Sequence, residues 1–136
     1  MSGYTILRGS EVPDYTGDAP GAFLGYGGAL GTEQVSVNMR VLAPHTAHAP
    51  PGYPPTTGHS HRTIEEIYVV LQGELTVKLG DEVARLGPRD AVRVSATTPR
   101  AVHNDSDHEA ALLMISVKVE DQSGESQWHE GFWPES

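Results

Sequence analysis

The 136-residue sequence contains no cysteine. It therefore has no disulfide framework, no thiolate zinc site and no cysteine nucleophile. It also lacks any run close to the roughly 18 consecutive apolar residues of a membrane span, and residues 1–4 have neither the basic nor the apolar region of a signal peptide. These absences predict a soluble, cytoplasmic protein.

Basic residues are scarce, because 9 Lys and Arg stand against 18 Asp and Glu, for a net charge of -9. Proteins bind nucleic acids and anionic lipid surfaces largely by neutralising phosphates with Lys and Arg. We therefore expect neither nucleic acid nor membrane as a partner. The length suits one domain.

Helical periodicity is missing as well, since apolar residues do not recur at i, i+3, i+4 and i+7 over a helical length. The chain instead contains short alternating or apolar runs separated by Gly, Pro, Asn and Asp. This pattern predicts an all-β sandwich or barrel. No G-x-S-x-G segment is present, so nucleophilic hydrolysis is not expected. Strands are predicted at residues 4–7, 34–42, 66–72, 74–79, 83–86, 91–95, 100–104 and 110–119.

Three regions divide the chain. Residues 1–34 form a predicted N-terminal extension, whose Gly-rich part lacks the Lys-Ser/Thr of a phosphate loop and is interpreted as a surface loop. Residues 35–119 form the predicted barrel, and within it the Pro-rich residues 43–60 are expected to be a stiff loop, either a lid or a connector. Residues 120–136 form an acidic tail, and we expect residues 128–134 to dock on the barrel or on a partner subunit, because three large aromatic side chains are costly to expose.

A candidate metal site lies near the centre of the chain. His59 and His61 are two residues apart, so on an extended backbone both imidazoles project from one face about 6.5–7 Å apart. A carboxylate from the next strand would complete a set of ligands suited to Fe, Mn, Ni, Co, Cu or Zn. For the two histidines alone, a polar loop end is the alternative interpretation.

This segment resembles the first motif of the cupin family, G(X)5HXH(X)3,4E(X)6G. Four residues separate His61 from Glu66, and six separate Glu66 from Gly73, so Glu66 fits the motif and Glu65 does not. The opening glycine, Gly52, stands one place early. The resemblance implies a double-stranded β-helix, or jelly-roll β-barrel, that binds one divalent transition metal through His59, His61 and Glu66.

The second cupin motif, G(X)5PXG(X)2H(X)3N, is matched less well by residues 90–104. Asn104 falls in place, but Ser95, Thr97 and Arg100 stand where the motif has Pro, Gly and His. In metal-binding cupins that histidine is a fourth ligand. Arginine cannot replace it, because a guanidinium stays protonated and offers no lone pair.

Three interpretations of Arg100 follow. It can point into the cavity and hold a substrate carboxylate or phosphate, or it can form an ion pair with Glu66 that excludes the metal. In the third interpretation, another histidine takes the missing ligand's place. Tyr68 is either a hydrogen-bond donor to the substrate or a packed core residue, and His103 and His108 are otherwise expected at the surface. The candidate extra ligands are His103, His45 and His48.

The leading functional prediction is a cupin that binds a divalent transition metal and acts on a small anionic molecule, as a dioxygenase or as an isomerase or cyclase. The alternative is a small-ligand-binding cupin without metal or catalysis. In a third possibility the cavity is vestigial, and the protein acts through oligomer contacts of Trp128, Phe132 and Trp133. The family resemblance also implies a homodimer.

Overall fold

The chain folds into two antiparallel β-sheets. The computed structural model describes residues 3–17, 19–49, 52–119 and 124–133. Besides one 3-10 turn (Gly9–Glu11) and one short helix, α1 (Tyr26–Leu30), its regular elements are strands, which confirms the all-β prediction. The strands are β1 (Ala22–Gly25), β2 (Val35–Leu42), β3 (Thr46–Ala47), β4 (Gly58–His61), β5 (Glu66–Gln72), β6 (Leu75–Leu79), β7 (Glu82–Leu86), β8 (Ala91–Val94), β9 (Arg100–Asn104), β10 (Ala110–Val117) and β11 (Ser126–His129).

The strand order shows how the sheets are assembled. The first sheet runs β1-β2-β10-β5-β8, and the second runs β11-β4-β9-β6-β7 with β3 added beside β9. Neighbours in each sheet are mostly distant in sequence, so the chain crosses repeatedly between the sheets. The hairpin of β6 and β7 is an exception, and it turns at the predicted residues 80 and 81.

The core lies between the sheets. Strand side chains point alternately to the two faces of a sheet, so Tyr68 and Val70 of β5 point inward together. They meet Leu112 of β10 in a cluster of buried side chains. Gly73 follows β5 with a φ of +74°, and a Cβ there would lie 2.6 Å from the carbonyl oxygen of Glu109. Only glycine satisfies both conditions without strain.

Strand β2 places its polar residues inward. Asn38 and Arg40 line a cavity between the sheets, while Val37 and Met39 alternate with them on the opposite face. A half-buried strand usually turns its apolar face toward the core. In β2 the polar side chains Asn38 and Arg40 face inward instead, and they give the cavity a polar wall on this side.

The N-terminal region differs from its prediction. The predicted strand at residues 4–7 is wrong, because this segment has no regular structure, and Tyr4 and Ile6 are largely exposed. The Gly-rich part is also not merely a surface loop. It contains α1, and it contains β1, which pairs with β2 so that Phe23 stands opposite Arg40.

The aromatic tail docks on its own barrel. Strand β11 pairs with β4, and beyond it the backbone N–H of Trp133 donates to the Thr56 carbonyl at 3.1 Å. The Trp133 ring stacks on His103, with centroids 4.2 Å apart, so the prediction of a surface position for His103 is wrong. Pro134 lies outside the described residues, and the homodimer stays a prediction.

The Pro-rich segment is tied to the second sheet at several points. Strand β3 pairs with β9, the His48 N–H donates to the Val102 carbonyl at 2.9 Å, and β4 begins at Gly58. Pro50 and Pro51 fall outside the described residues. Among the residues described, no helix has the length and apolar character to cross a membrane.

Candidate metal centre

Two strands bring the three predicted metal ligands together. His59 and His61 lie on β4 and Glu66 begins β5, so the short connection between the strands places the carboxylate beside the imidazoles. Nε2 of His59 lies 3.4 Å from Oε1 of Glu66, and Nε2 of His61 lies 3.2 Å from the same oxygen. One potential ligand atom from each residue falls within 4.8 Å of the other two.

These separations fit a shared metal ion. Two ligands of a tetrahedral ion with bonds of about 2.0–2.1 Å lie about 3.3 Å apart. The distances from Glu66 to the two histidines are close to that value, and the one to His59 lies beyond the usual range for a hydrogen bond between nitrogen and oxygen. Imidazole nitrogens and a carboxylate oxygen are also the ligand types that divalent transition metals accept.

The Glu66 carboxylate is held in its ionised form. The Tyr68 hydroxyl donates to Oε1 at 3.0 Å, and Nη1 of Arg100 lies 3.8 Å from the same atom. Burial by itself raises the pKa of Glu66, but hydrogen bonds and charge from His59 and His61 outweigh burial and hold this pKa well below its usual value. Burial and the nearby carboxylate raise the pKa of Tyr68 well above 10, so its hydroxyl remains a donor.

A third histidine lies beside the cluster. The ring of His48 is 6.1 Å from that of His59, and its Nδ1 is buried without a hydrogen-bond partner among the described residues. Burial lowers the pKa of His48 to about 3, with further lowering by the charges of His59 and Arg40. Burial likewise lowers the pKa of His59, although Glu66 opposes this effect. Burial therefore favours the neutral form of the imidazole at both positions.

Arg100 lies next to the cluster but is not one of the side chains that line the cavity. It is fully buried and stands directly opposite His59 in the pairing of β4 with β9. Nη2 donates to the Ser95 carbonyl at 2.7 Å, whereas Nε and Nη1 have no hydrogen-bond partner in the described part of the chain. Its distance to Glu66 is that of a loose ion pair. A role in holding substrate stays a prediction.

The other candidate ligands lie elsewhere. His45 is exposed and contacts Asp107 at 2.7 Å, while His103 is covered by Trp133. His108 is exposed, as expected. His129, to which the sequence assigned no role, lies 2.9 Å from the Ser60 hydroxyl. Of the three proposed replacement histidines, only His48 lies near the cluster.

The cluster opens into a cavity of about 520 Å³, which is large enough for a small organic ligand. The N-terminal segment, the first sheet and the tail all contribute to its wall. The side chains that line it are Tyr15, Thr16, Ala19, Phe23, Asn38, Arg40, His48, Ala49, His59, His61, Glu66, Met114, Ser116, Ser126 and Trp128.

Sequence reasoning missed several of these positions. Arg40 and Phe23 were not identified as site residues, and Trp128 was identified only as part of a docking tail. A signal for Arg40 was present, because Asn38 and Arg40 share one parity of β2 while Val37 and Met39 share the other. Trp128 gave no such signal, since its ring approaches His59 to 5.9 Å only through the pairing of β11 with β4.

The family model for the cupin domain matches residues 45–116 of this chain. This match spans more than half of the sequence and includes His59, His61, Glu66 and Arg100. A comparison with curated proteins finds no significant match.

Solved structures with the same fold include three that cover most of the chain. A cupin protein from Bacteroides fragilis is 21% identical with a TM-score of 0.68, covering 91% of this chain and 92% of its own. A sugar phosphate isomerase of the cupin superfamily from Silicibacter pomeroyi is 17% identical with a TM-score of 0.72, and the match covers 97% of this chain and 96% of that protein. The polyketide cyclase RemF from Streptomyces resistomycificus is 14% identical with a TM-score of 0.66, and the match covers 83% of this chain and 78% of that protein.

These likenesses confirm the predicted double-stranded β-helix, or jelly-roll, fold. The two facing antiparallel sheets, the matched family model and the first motif around His59 and His61 agree with one another. The chain belongs to the cupin domain family.

Proposed function

We propose that the protein binds one divalent transition metal through His59, His61 and Glu66 and acts on a small anionic molecule in the adjoining cavity. The observation that carries this proposal is the convergence of both Nε2 atoms on Oε1 of Glu66, at 3.4 and 3.2 Å, in the wall of a 520 Å³ cavity. Fe, Mn, Ni, Co, Cu and Zn all suit this set of ligands.

A metal bound there would supply Lewis-acid polarisation of a substrate carbonyl or enol, or activation of O2 if the metal is iron. The protein's part is to position the ligands and to shape the cavity. Tyr68 donates its hydroxyl proton to Oε1 of Glu66 and so orients the carboxylate toward the histidines. The apolar wall, including Met114, limits the water that accompanies a bound molecule.

The reaction is proposed only as a class. The structural neighbours include a sugar phosphate isomerase and a polyketide cyclase, and their identities of 17% and 14% support the fold alone. Cupin chemistry depends on the residues of each cavity, because one fold can host many reactions. A dioxygenase and an isomerase or cyclase both remain within the proposal.

One observation favours the alternative of a binding protein without metal. Nη1 of Arg100 lies 3.8 Å from the oxygen that the metal would share, and a fixed positive charge repels a cation. In that case the cavity would capture a small carboxylate without catalysis.

Thermal unfolding with and without a chelator distinguishes the two functions. For the metal-loaded protein we expect EDTA to lower the melting temperature by several degrees, because a ligand at about 100 times its Kd stabilises the folded state by about 2.7 kcal/mol. The Glu66→Gln variant should lose this response. Glu65→Gln is the matched control and should keep it, since Glu65 is exposed and contacts Arg93. An EDTA-insensitive parent that is stabilised by small carboxylates would support the binding protein instead.

A further inference from the structure

Arg40 is a cavity residue that the proposed metal site does not use. It lies on β2, opposite Phe23 of β1, and its guanidinium carbon sits 5.4 Å from the centre of the Phe23 ring. That ring is 6.2 Å from the ring of His48, which in turn neighbours His59. Arg40 thus lines the same cavity as the ligand cluster and is connected to His59 through the successive ring contacts of Phe23 and His48.

Arg40 contacts the face of the Phe23 ring and feels the charge of Asp14, but it forms no ion pair in the described part of the chain. No ion pair or hydrogen bond there involves its guanidinium, and its Nε is buried and unpaired. Asp14, which exerts the opposing charge, is engaged elsewhere, because its Oδ1 accepts hydrogen bonds from the Phe23 and Thr16 N–H groups at 3.0 Å. Burial accordingly lowers the pKa of Arg40, with only partial compensation from Asp14.

The balance of charge in the cavity wall points to an anion. Arg40 and Glu66 are the only side chains among the described lining residues, apart from histidines, that carry charge at neutral pH. Glu66 is already committed to His59, His61 and Tyr68. Arg40 therefore presents to the cavity a positive charge that no ion pair among the described residues neutralises. Its planar fork suits bidentate pairing with a carboxylate.

Aromatic side chains determine the shape of the remaining space. Trp128 lines the cavity, yet 43% of its surface is exposed, so part of the indole is free to contact a ligand. Tyr15 and Phe23 contribute further rings from the N-terminal side. Flat rings stack on such surfaces with about 0.5–1.5 kcal/mol beyond simple burial.

We propose that Arg40 is the substrate-binding residue for a carboxylate carried by a planar, ring-containing molecule. The carboxylate pairs with the Arg40 guanidinium, and the ring lies against the aromatic wall between Phe23 and Trp128. This inference rests on the proposed function for the assignment of the cavity as the reaction site, and it names the substrate class.

Binding of 2-naphthoate, followed by quenching of Trp fluorescence, tests the proposal. We expect 2-naphthoate to bind the parent at least about tenfold more tightly than neutral 2-naphthamide or flexible octanoate. Arg40→Met should weaken naphthoate binding at least tenfold, and Arg40→Lys should weaken it less because the charge remains. Arg93→Met is the matched control, since Arg93 is exposed on the surface and pairs with Glu65, and it should bind as the parent does.

Several outcomes would overturn the proposal: no naphthoate binding by the parent, equal binding of the amide or octanoate, or unchanged binding by Arg40→Met. Metal content measured on the same samples separates this proposal from the proposed function. Naphthoate binding that depends on Arg40 in a protein unable to take up metal would retain the substrate class and contradict the metal site. A normal metal content without naphthoate binding would retain the metal site and contradict the substrate class.

Discussion

Replacing Arg100 with histidine is expected to tighten the binding of a divalent transition metal by at least about 100-fold. Two effects contribute. The substitution removes a buried positive charge that lies 3.8 Å from Glu66, and it places an imidazole directly across the strand from His59. Paired residues of neighbouring strands have Cβ atoms about 4.5–5.5 Å apart, so the new ring would be within reach of a metal bound by His59.

The Arg100→Met variant separates these two effects. It removes the charge without adding a ligand, and we expect it to gain about tenfold in affinity. Coulomb's law with an effective dielectric constant of about 20 gives about 5 kcal/mol between a unit charge and a divalent ion about 6 Å apart, so a gain of 1.4 kcal/mol requires only a fraction of that repulsion.

Competition with a chromophoric chelator measures both affinities. The expected order is Arg100→His, then Arg100→Met, then the parent. A parent that binds metal more tightly than Arg100→Met would mean that Arg100 supports the site, as it would by orienting Glu66. Equal affinities of the two variants would show that position 100 does not face the metal.

Replacing Trp133 with alanine is expected to lower the free energy of unfolding by about 2–3 kcal/mol. The Trp133 ring stacks on buried His103, and the variant loses this contact while it keeps the backbone N–H that donates to the Thr56 carbonyl. Next to it, Phe132 packs so closely on Gly58 that a Cβ at that glycine would lie 2.5 Å from the ring. The tail therefore covers part of the second sheet, and removal of the Trp133 ring exposes the surface that it covers.

Urea unfolding of Trp133→Ala measures this contribution, with Trp128→Ala as the matched control. Trp128 is 43% exposed, so its replacement should cost less than about 1 kcal/mol while changing the cavity that it lines. Equal losses for the two variants, or none for Trp133→Ala, would contradict the docking of the tail through Trp133.

Much of the fold could be predicted from the sequence because the strand pattern is local. The alternation in residues 74–79 and the turn at residues 80 and 81 give a hairpin, and the observed β6 and β7 follow it closely. The same local reasoning gave a wrong prediction for the N-terminal region. Residues 4–7 have the composition of a strand but pair with no strand among the described residues, whereas β1, with its glycine and alanine, is stabilised by pairing with β2.

The residues of the candidate site also fall into those that the sequence predicts and those that it does not. His59, His61 and Glu66 lie within eight residues, so their spacing already predicts their proximity. Arg40 comes from β2, which lies in the same sheet as Glu66 but not in the sheet of His59 and His61, and Trp128 comes from the tail. Their positions depend on pairings between strands far apart in sequence, which the spacing of residues cannot reveal.

Metal content per chain is the most direct test of the account. Protein purified without an affinity tag and loaded with Fe, Mn, Ni or Zn should contain about one metal per chain by inductively coupled plasma mass spectrometry. The His59→Ala, His61→Ala double variant should contain none, and the His45→Ala, His108→Ala double variant should match the parent because both of its histidines are exposed. No metal in the parent after loading with each ion, or equal metal in the parent and the first variant, would contradict a metal centre at His59, His61 and Glu66.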